Sequence, residues 1–397
     1  MRRRRFLATV GATVAATSGC TRFLEGSSPV RFRYGNDGPL TALAVGADTV
    51  YVGGQSPTAP GQVVALDPAS GDRRWAKATT APGNTLSITE RAGALLVWTT
   101  ATLTLSVMDG FVDTPWTRSR VASFPPPAAD AVVFLHRRHS VEAVDVHTGE
   151  RRWRTHPTGA EGTLPIPRPE LVATDVLVAA TWGGHLAGID PDSGTLRWWA
   201  FTRNVGPRLT LGDGAVFVGG EYARGPVRVD RLDPRTGIME TLAAFRNRHA
   251  TPVFATADQL VVQTHGAPGD ALSSLDPRTG ARHWQVTDLK ATTASTDPNL
   301  LVGYDSERNQ VIALDPTTGA RRWTREPPSN DDGVALAMTD STVIVRGASA
   351  LHGLDRHDGS HRFRFEFDPD AVGRPLVATT DAAVHLVIGS TLYVIPA

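Results

Sequence analysis

The chain has 397 residues, 41% of them hydrophobic, which is enough to bury one large or two ordinary cores and excludes a largely disordered polymer. Its 40 basic and 40 acidic residues cancel, with no long run of one sign after the first five residues, so no nucleic-acid-binding footprint is present. A single cysteine, Cys20, excludes an intrachain disulfide and a thiolate metal cluster.

The chain opens on Arg2 to Arg5, then Phe6, Leu7 and the weakly apolar stretch ATVGATVAATSG, a charged-then-apolar layout typical of export segments. Arg3, Arg4, Phe6 and Leu7 read as RRxFL, which resembles the twin-arginine export signal. The apolar run is too short for a good membrane span. Cys20 follows Thr17, Ser18 and Gly19 and resembles the lipidated cysteine of a lipoprotein cleavage box. Thr17 stands where such boxes usually carry leucine, so ordinary cleavage and an uncleaved anchor stay open. Residues 1–20 are thus expected to be an export signal, 21–29 a tether and 30–397 the folded domain.

From residue 30 onward, apolar runs of four to seven residues alternate with turns drawn from 38 glycines and 28 prolines, which predicts an all-β domain of short strands. One unit recurs: VVALDPASGDRRW at 63–75, VEAVDVHTGERRW at 141–153, LAGIDPDSGTLRW at 186–198, LSSLDPRTGARHW at 272–284 and VIALDPTTGARRW at 311–323. Thr241 and Phe363 replace the tryptophan in weaker copies, and a decayed copy keeps Asp109 and Trp116. The anchoring aspartates Asp67, Asp109, Asp145, Asp190, Asp233, Asp276, Asp315 and Asp355 are 36 to 45 residues apart, the period of a propeller blade or a helical repeat. Paired β-rich runs such as TVYVGG and QVVALD before the anchors favour the blade.

Within the unit, aspartate opens the turn, proline fixes φ, Ser or Thr bonds the local backbone and glycine supplies the positive φ that closes the loop. Trp75, Trp153, Trp198, Trp284 and Trp323 then fall on the outgoing strand, where a large ring covers the seam to the next blade and its indole nitrogen finds a partner. Their regular recurrence marks them as packing residues.

The LDPxTGxxxW unit resembles the repeat of the PQQ-like β-propellers, which include quinoprotein alcohol dehydrogenases and the propeller lipoprotein of the bacterial outer-membrane assembly complex. The resemblance covers roughly residues 30–397 and implies four-stranded antiparallel blades. Eight blades are expected, with seven and nine as the alternatives. Nine is the literal count if RFRYG at 31–35 adds a fourth strand to three strands in LVATTDAAVHLVIGSTLYVI.

The catalytic members of that family use an adjacent cysteine pair and acidic and amide metal ligands. None of these transfers onto this chain, so neither an enzyme nor a bound cofactor is expected. His136 and His139 in HRRH lack a nearby carboxylate, and SNDDG at 329–333 lacks the spaced ligands of a calcium loop. By strand parity, every LDPxTG turn lies on one face of the disc, and the turns between second and third strands lie on the other. That second face is the expected recognition surface, carrying His136, Arg137, Arg138, His139, Trp182, His185, Glu221, Tyr222, Arg224, His265, Asp270, Tyr304, Asp305, Glu307 and Arg308. The resulting expectation is a monomeric exported scaffold, lipid-anchored on the outer face of the cytoplasmic membrane or cell surface, that binds proteins or peptides and not nucleic acid. A subunit of an outer-membrane assembly complex and a quinoprotein dehydrogenase are the alternatives.

Overall fold

The structure is a computed structural model that describes residues 30–36, 38–54, 61–78, 86–91, 94–99, 104–108, 116–119, 126, 128–129, 131–137, 140–156, 171–173, 175–221, 225–267, 269–287, 289–291, 299–305, 308–326, 334–346, 350–366, 375–380 and 382–396. The expected export signal and tether lie outside the described residues. Within them, short antiparallel strands follow one another in hairpins, and the chain is an all-β propeller.

Among the described residues the strands form nine four-stranded units. In chain order the first eight run from Leu40 to Ala78, Leu86 to Ser119, Ala128 to Thr155, Leu171 to Phe201, Val205 to Phe245, His249 to Thr287, Lys290 to Arg325 and Val334 to Glu366. The ninth joins both ends of the domain: Leu376–Thr380, Ala383–Ile388 and Thr391–Pro396, with Phe32–Gly35 as its outer strand. Phe32 faces Val394 and Tyr34 faces Leu392 in that pairing. The expectation of eight is corrected upward, because the copy around Asp109 keeps four strands despite its lost loop and the joined termini add a further unit. Seven units are separate sheets. The fifth and sixth merge into an eight-stranded sheet where Gly220 pairs with Ala250 and Glu221 with His249.

Side chains of a strand point alternately to its two faces, and each face of a blade meets a neighbour, so the second and third strands must be apolar on both sides. Leu177–Ala180, Ala271–Leu275 and Ala383–Ile388 are accordingly buried at every position, whereas the outer strand Arg282–Thr287 is largely exposed. The apolar core is divided among the seams. Val178, Ala180 and Leu186 pack against Val216, Val218 and Leu232 between the fourth and fifth blades. Leu40, Val52 and Leu66 pack against Val387, Leu392 and Val394 between the first and ninth, which closes the ring and leaves no open end.

Candidate functional site

The anchor turns occupy one face and bond to themselves. The Asp67 carboxylate accepts the backbone N–H groups of Ala69 (2.9 Å) and Ser70 (3.0 Å), and the Gly71 N–H donates to the Asp67 carbonyl at 2.9 Å. Gly71, Gly194 and Gly319 take φ of 78°, 72° and 70°, the left-handed conformation that glycine adopts without a Cβ penalty. One partner was not singled out from the sequence. The arginine just before the aromatic ring returns to the anchor, Arg74 to Asp67 at 2.8 Å, Arg152 to Asp145 at 2.8 Å and Arg322 to Asp315 at 2.6 Å. The RRW spelling of three copies carries that signal. These guanidinium and backbone bonds hold Asp67 and Asp190 well below the usual carboxylate range and Asp145 down to about 2.

Each outgoing ring docks on the following blade. The indole N–H groups of Trp116, Trp153, Trp198, Trp284 and Trp323 donate at 2.8–2.9 Å to the carbonyls of Val146, Pro191, Pro234, Pro316 and Arg356. Each acceptor is the residue after an anchor aspartate. Phe32 takes the ring's place over Gly71, so the first blade is covered by the N-terminal strand.

The turns between second and third strands lie on the opposite face. Trp182 sits at such a turn, 39% exposed, with its carbonyl accepting the Gly206 N–H at 2.8 Å. His185 meets Phe201 edge-on, with ring centroids 5.2 Å apart. Glu221 lies 3.5 Å from His249, and His265 lies 3.4 Å from Asp270. His249 and His265 are cross-strand partners, so the merged sheet gathers four titratable groups, of which His249 was not foreseen. No three His, Cys, Asp or Glu side chains among the described residues are arranged to hold a metal ion.

Three expected members do not belong to this exposed surface. His136 is fully buried within Val132–Arg137, and Tyr304 and Asp305 are buried in Leu301–Asp305, because the second strands run further than the sequence implied. The Tyr304 hydroxyl donates to Asn309 at 2.6 Å, and Asp305 holds the exposed Arg308 at 2.7 Å. The Arg137 backbone is in strand. Arg138, His139, Tyr222, Arg224 and Glu307 lie outside the described residues, as do Arg3, Arg4, Phe6, Leu7 and Cys20.

Two buried imidazoles make the fold sensitive to acid. Burial, aided by His361 and Arg364, pushes His352 down to about 4, and burial does the same to His385. The unfolded chain takes up protons near the ordinary value of about 6.5, before the native state does, so stability is present above that pH and falls as pH drops toward about 4. The loss is roughly 3 kcal/mol for each histidine at the bottom of the window. The carboxylates of Asp67, Asp145, Asp190, Asp233, Asp276 and Asp315, shifted downward, keep their contribution until more acidic pH. Asp230, raised by burial, acts in the opposite sense, since the native state binds its proton first. Urea midpoints at about pH 7.5 and about pH 4.5 are expected to differ, and His352→Leu with His385→Leu to flatten the difference.

A family model described as outer membrane protein assembly factor BamB matches residues 36–122, 96–206, 199–329 and 307–392. No curated protein matches the chain. Among solved structures, the computationally designed Ika8 protein superposes with a TM-score of 0.54 at 14% identity, covering 91% of this chain and 98% of its own. Saccharomyces cerevisiae Sqt1 gives 0.54 at 10% identity over 94% and 99%. Quinohemoprotein alcohol dehydrogenase from Comamonas testosteroni gives 0.51 at 12% over 94% and 76%. At these identities the likeness is one of fold.

Proposed function

The chain belongs to the PQQ-like propeller family described by the assembly factor BamB, and from that membership we propose that it is a non-enzymatic scaffold that binds a protein or peptide outside the cytoplasm. The contrast between the two faces carries this reading. On the anchor-turn face Asp67, Asp145, Asp190 and Asp315 are already held by arginines and backbone N–H groups, and Asp233 and Asp276 by backbone N–H groups. On the other face Trp182, Glu221, His265 and Arg308 offer aromatic surface and charge of both signs on turns of unequal length. Irregular loops on a rigid scaffold, rich in Trp and Arg, are where binding energy concentrates. The export segment and Cys20 support a lipid-anchored location. The finer assignment to an outer-membrane assembly machine requires a host with two membranes.

The test is site-specific photo-crosslinking in the native host. A crosslinker at Trp182, Glu221 or Arg308 is expected to give an adduct of discrete mass, and one at Arg235, Thr279 or Thr317 on the anchor-turn face to give none. Adducts from the anchor-turn set alone would place recognition on the wrong side.

A further inference from the structure

The large apolar side chains exposed among the described residues all lie in the fourth and fifth blades: Trp182, Leu196, Trp199, Phe201, Val205, Leu211 and Ile238. The most exposed are Trp199 at 71% and Ile238 at 64%, with Phe201 at 52%. Trp199 and Phe201 sit one and three residues after the docked Trp198, on the fourth blade's outer strand Leu196–Phe201. The repeat supplies its own control. Arg154, Gln285, Thr324 and Arg364 hold the first of these positions in other blades, and His156, Thr287, Glu326 and Glu366 the second. The first and fifth blades carry Ala76 with Ala78 and Leu242 with Ala244. A large aromatic at both places is therefore a property of this blade among the described ones, and the blade itself does not need it.

This strand also ends its sheet, since among the described residues the fourth blade is ordered from Leu171–Ala173 outward to Leu196–Phe201 with no strand beyond. An exposed apolar edge is a template for strand pairing, and other outer strands blunt theirs with charge, as in Arg151–Thr155 and Arg321–Arg325. We propose that the outer strand of the fourth blade pairs antiparallel with the same strand of a second copy, giving a two-fold dimer with one continuous eight-stranded sheet.

The occupant follows from self-complementarity. With the two-fold axis at Ala200, Trp199 of each copy falls opposite Phe201 of the other, and directly opposed residues of an antiparallel pair share a face. The small Ala200 stands at the axis. Arg203 falls opposite Arg197, whose charge Asp190 already offsets at 2.5 Å. The formal net charge of zero leaves no long-range repulsion between copies. The four aromatic rings alone cover on the order of 500 Å², about half of what a specific interface needs, and Leu196 and the paired backbones add to it. This replaces the monomer expected from the sequence, and it is independent of the partner face proposed above.

Sedimentation velocity of the full chain over a concentration series tests it. The parent is expected to shift from monomer to dimer mass, Trp199→Lys with Phe201→Lys to stay monomeric throughout, and Leu211→Lys with Ile238→Lys to dimerise like the parent. A parent that is monomeric at every concentration, or a dimer that survives the Trp199 and Phe201 changes, overturns the proposal. A second readout does not depend on how those variants fold. In a Cys20→Ser background, oxidised Ala200→Cys is expected to form an interchain disulfide across the axis, whereas Lys77→Cys, at the equivalent place in the first blade, is not. Absence of the Ala200→Cys crosslink equally overturns it.

Discussion

Truncation after Gly389 is expected to abolish the single cooperative melt of the domain. The missing strand Thr391–Pro396 lies in the centre of the ninth blade, between Ala383–Ile388 and the N-terminal Phe32–Gly35. Its Leu392, Val394 and Ile395 are at most 1% exposed and supply two seams, one against the first blade and one against the eighth. Burying three such side chains is worth on the order of 5–9 kcal/mol, comparable with the whole stability of an ordinary domain. The damage also spreads. Phe32–Gly35 loses its partner strand, Phe32 can no longer cover Gly71, and two sheet edges open to solvent. Differential scanning calorimetry should show a broad transition well below that of the parent, with new binding of a hydrophobic dye. Phe32→Ala should give a smaller loss with cooperativity kept, because the ring stays closed. A truncated protein that melts sharply at the parent temperature would contradict closure through the ninth blade.

The fold was legible because the repeat spells its own mechanics. Asp, Pro and Gly at fixed offsets dictate the turn, and the tryptophan seven or eight residues after the anchor dictates the seam, so both survive as patterns in a single sequence. The joined termini were legible too, since RFRYG and the last apolar runs have strand chemistry and no other partners. The candidate surface was less so. Where a second strand ends depends on how the neighbouring blade packs, and neither His136 nor Tyr304 announces by composition that it is covered. His249 escaped notice because only the turns between second and third strands were read, whereas the fourth-to-first connection at 246–248, just before His249, reaches the same face and sets His249 beside Glu221. The Arg74–Asp67 type of bond was spelled in the repeat, but a neighbouring arginine in the same copies obscured which one returns to the anchor. Trp199 and Phe201 sat in plain view beside Trp198. Their meaning emerged only when the structure showed which of the three rings faces inward.

Trp323→Ala is expected to cost about 3–5 kcal/mol, the range for deleting a large buried aromatic. Trp323 is 6% exposed, packs in the seam with Leu300, Val343 and Leu354, and donates its indole N–H to the Arg356 carbonyl at 2.9 Å. Trp323→Phe keeps most of the packing and loses that bond, so it should cost less, about 1–2 kcal/mol with the carbonyl left short of its donor. The ring's other contact gives a sharper test. Gly359 has φ of 71°, and a Cβ placed there would lie 2.7 Å from the Trp323 ring. Gly359→Ala therefore carries two penalties, about 1–2 kcal/mol for the left-handed backbone and a further cost for pushing the indole out of its seat. Only the second depends on the ring. In the double variant Trp323→Ala with Gly359→Ala the clash disappears while the backbone strain persists, so the combined loss should fall short of the sum by about 1 kcal/mol or more. Urea unfolding of the parent, the two single variants and the double variant measures that difference directly. Strict additivity would mean that the glycine is required for its φ alone and that the ring does not press on the turn of the next blade.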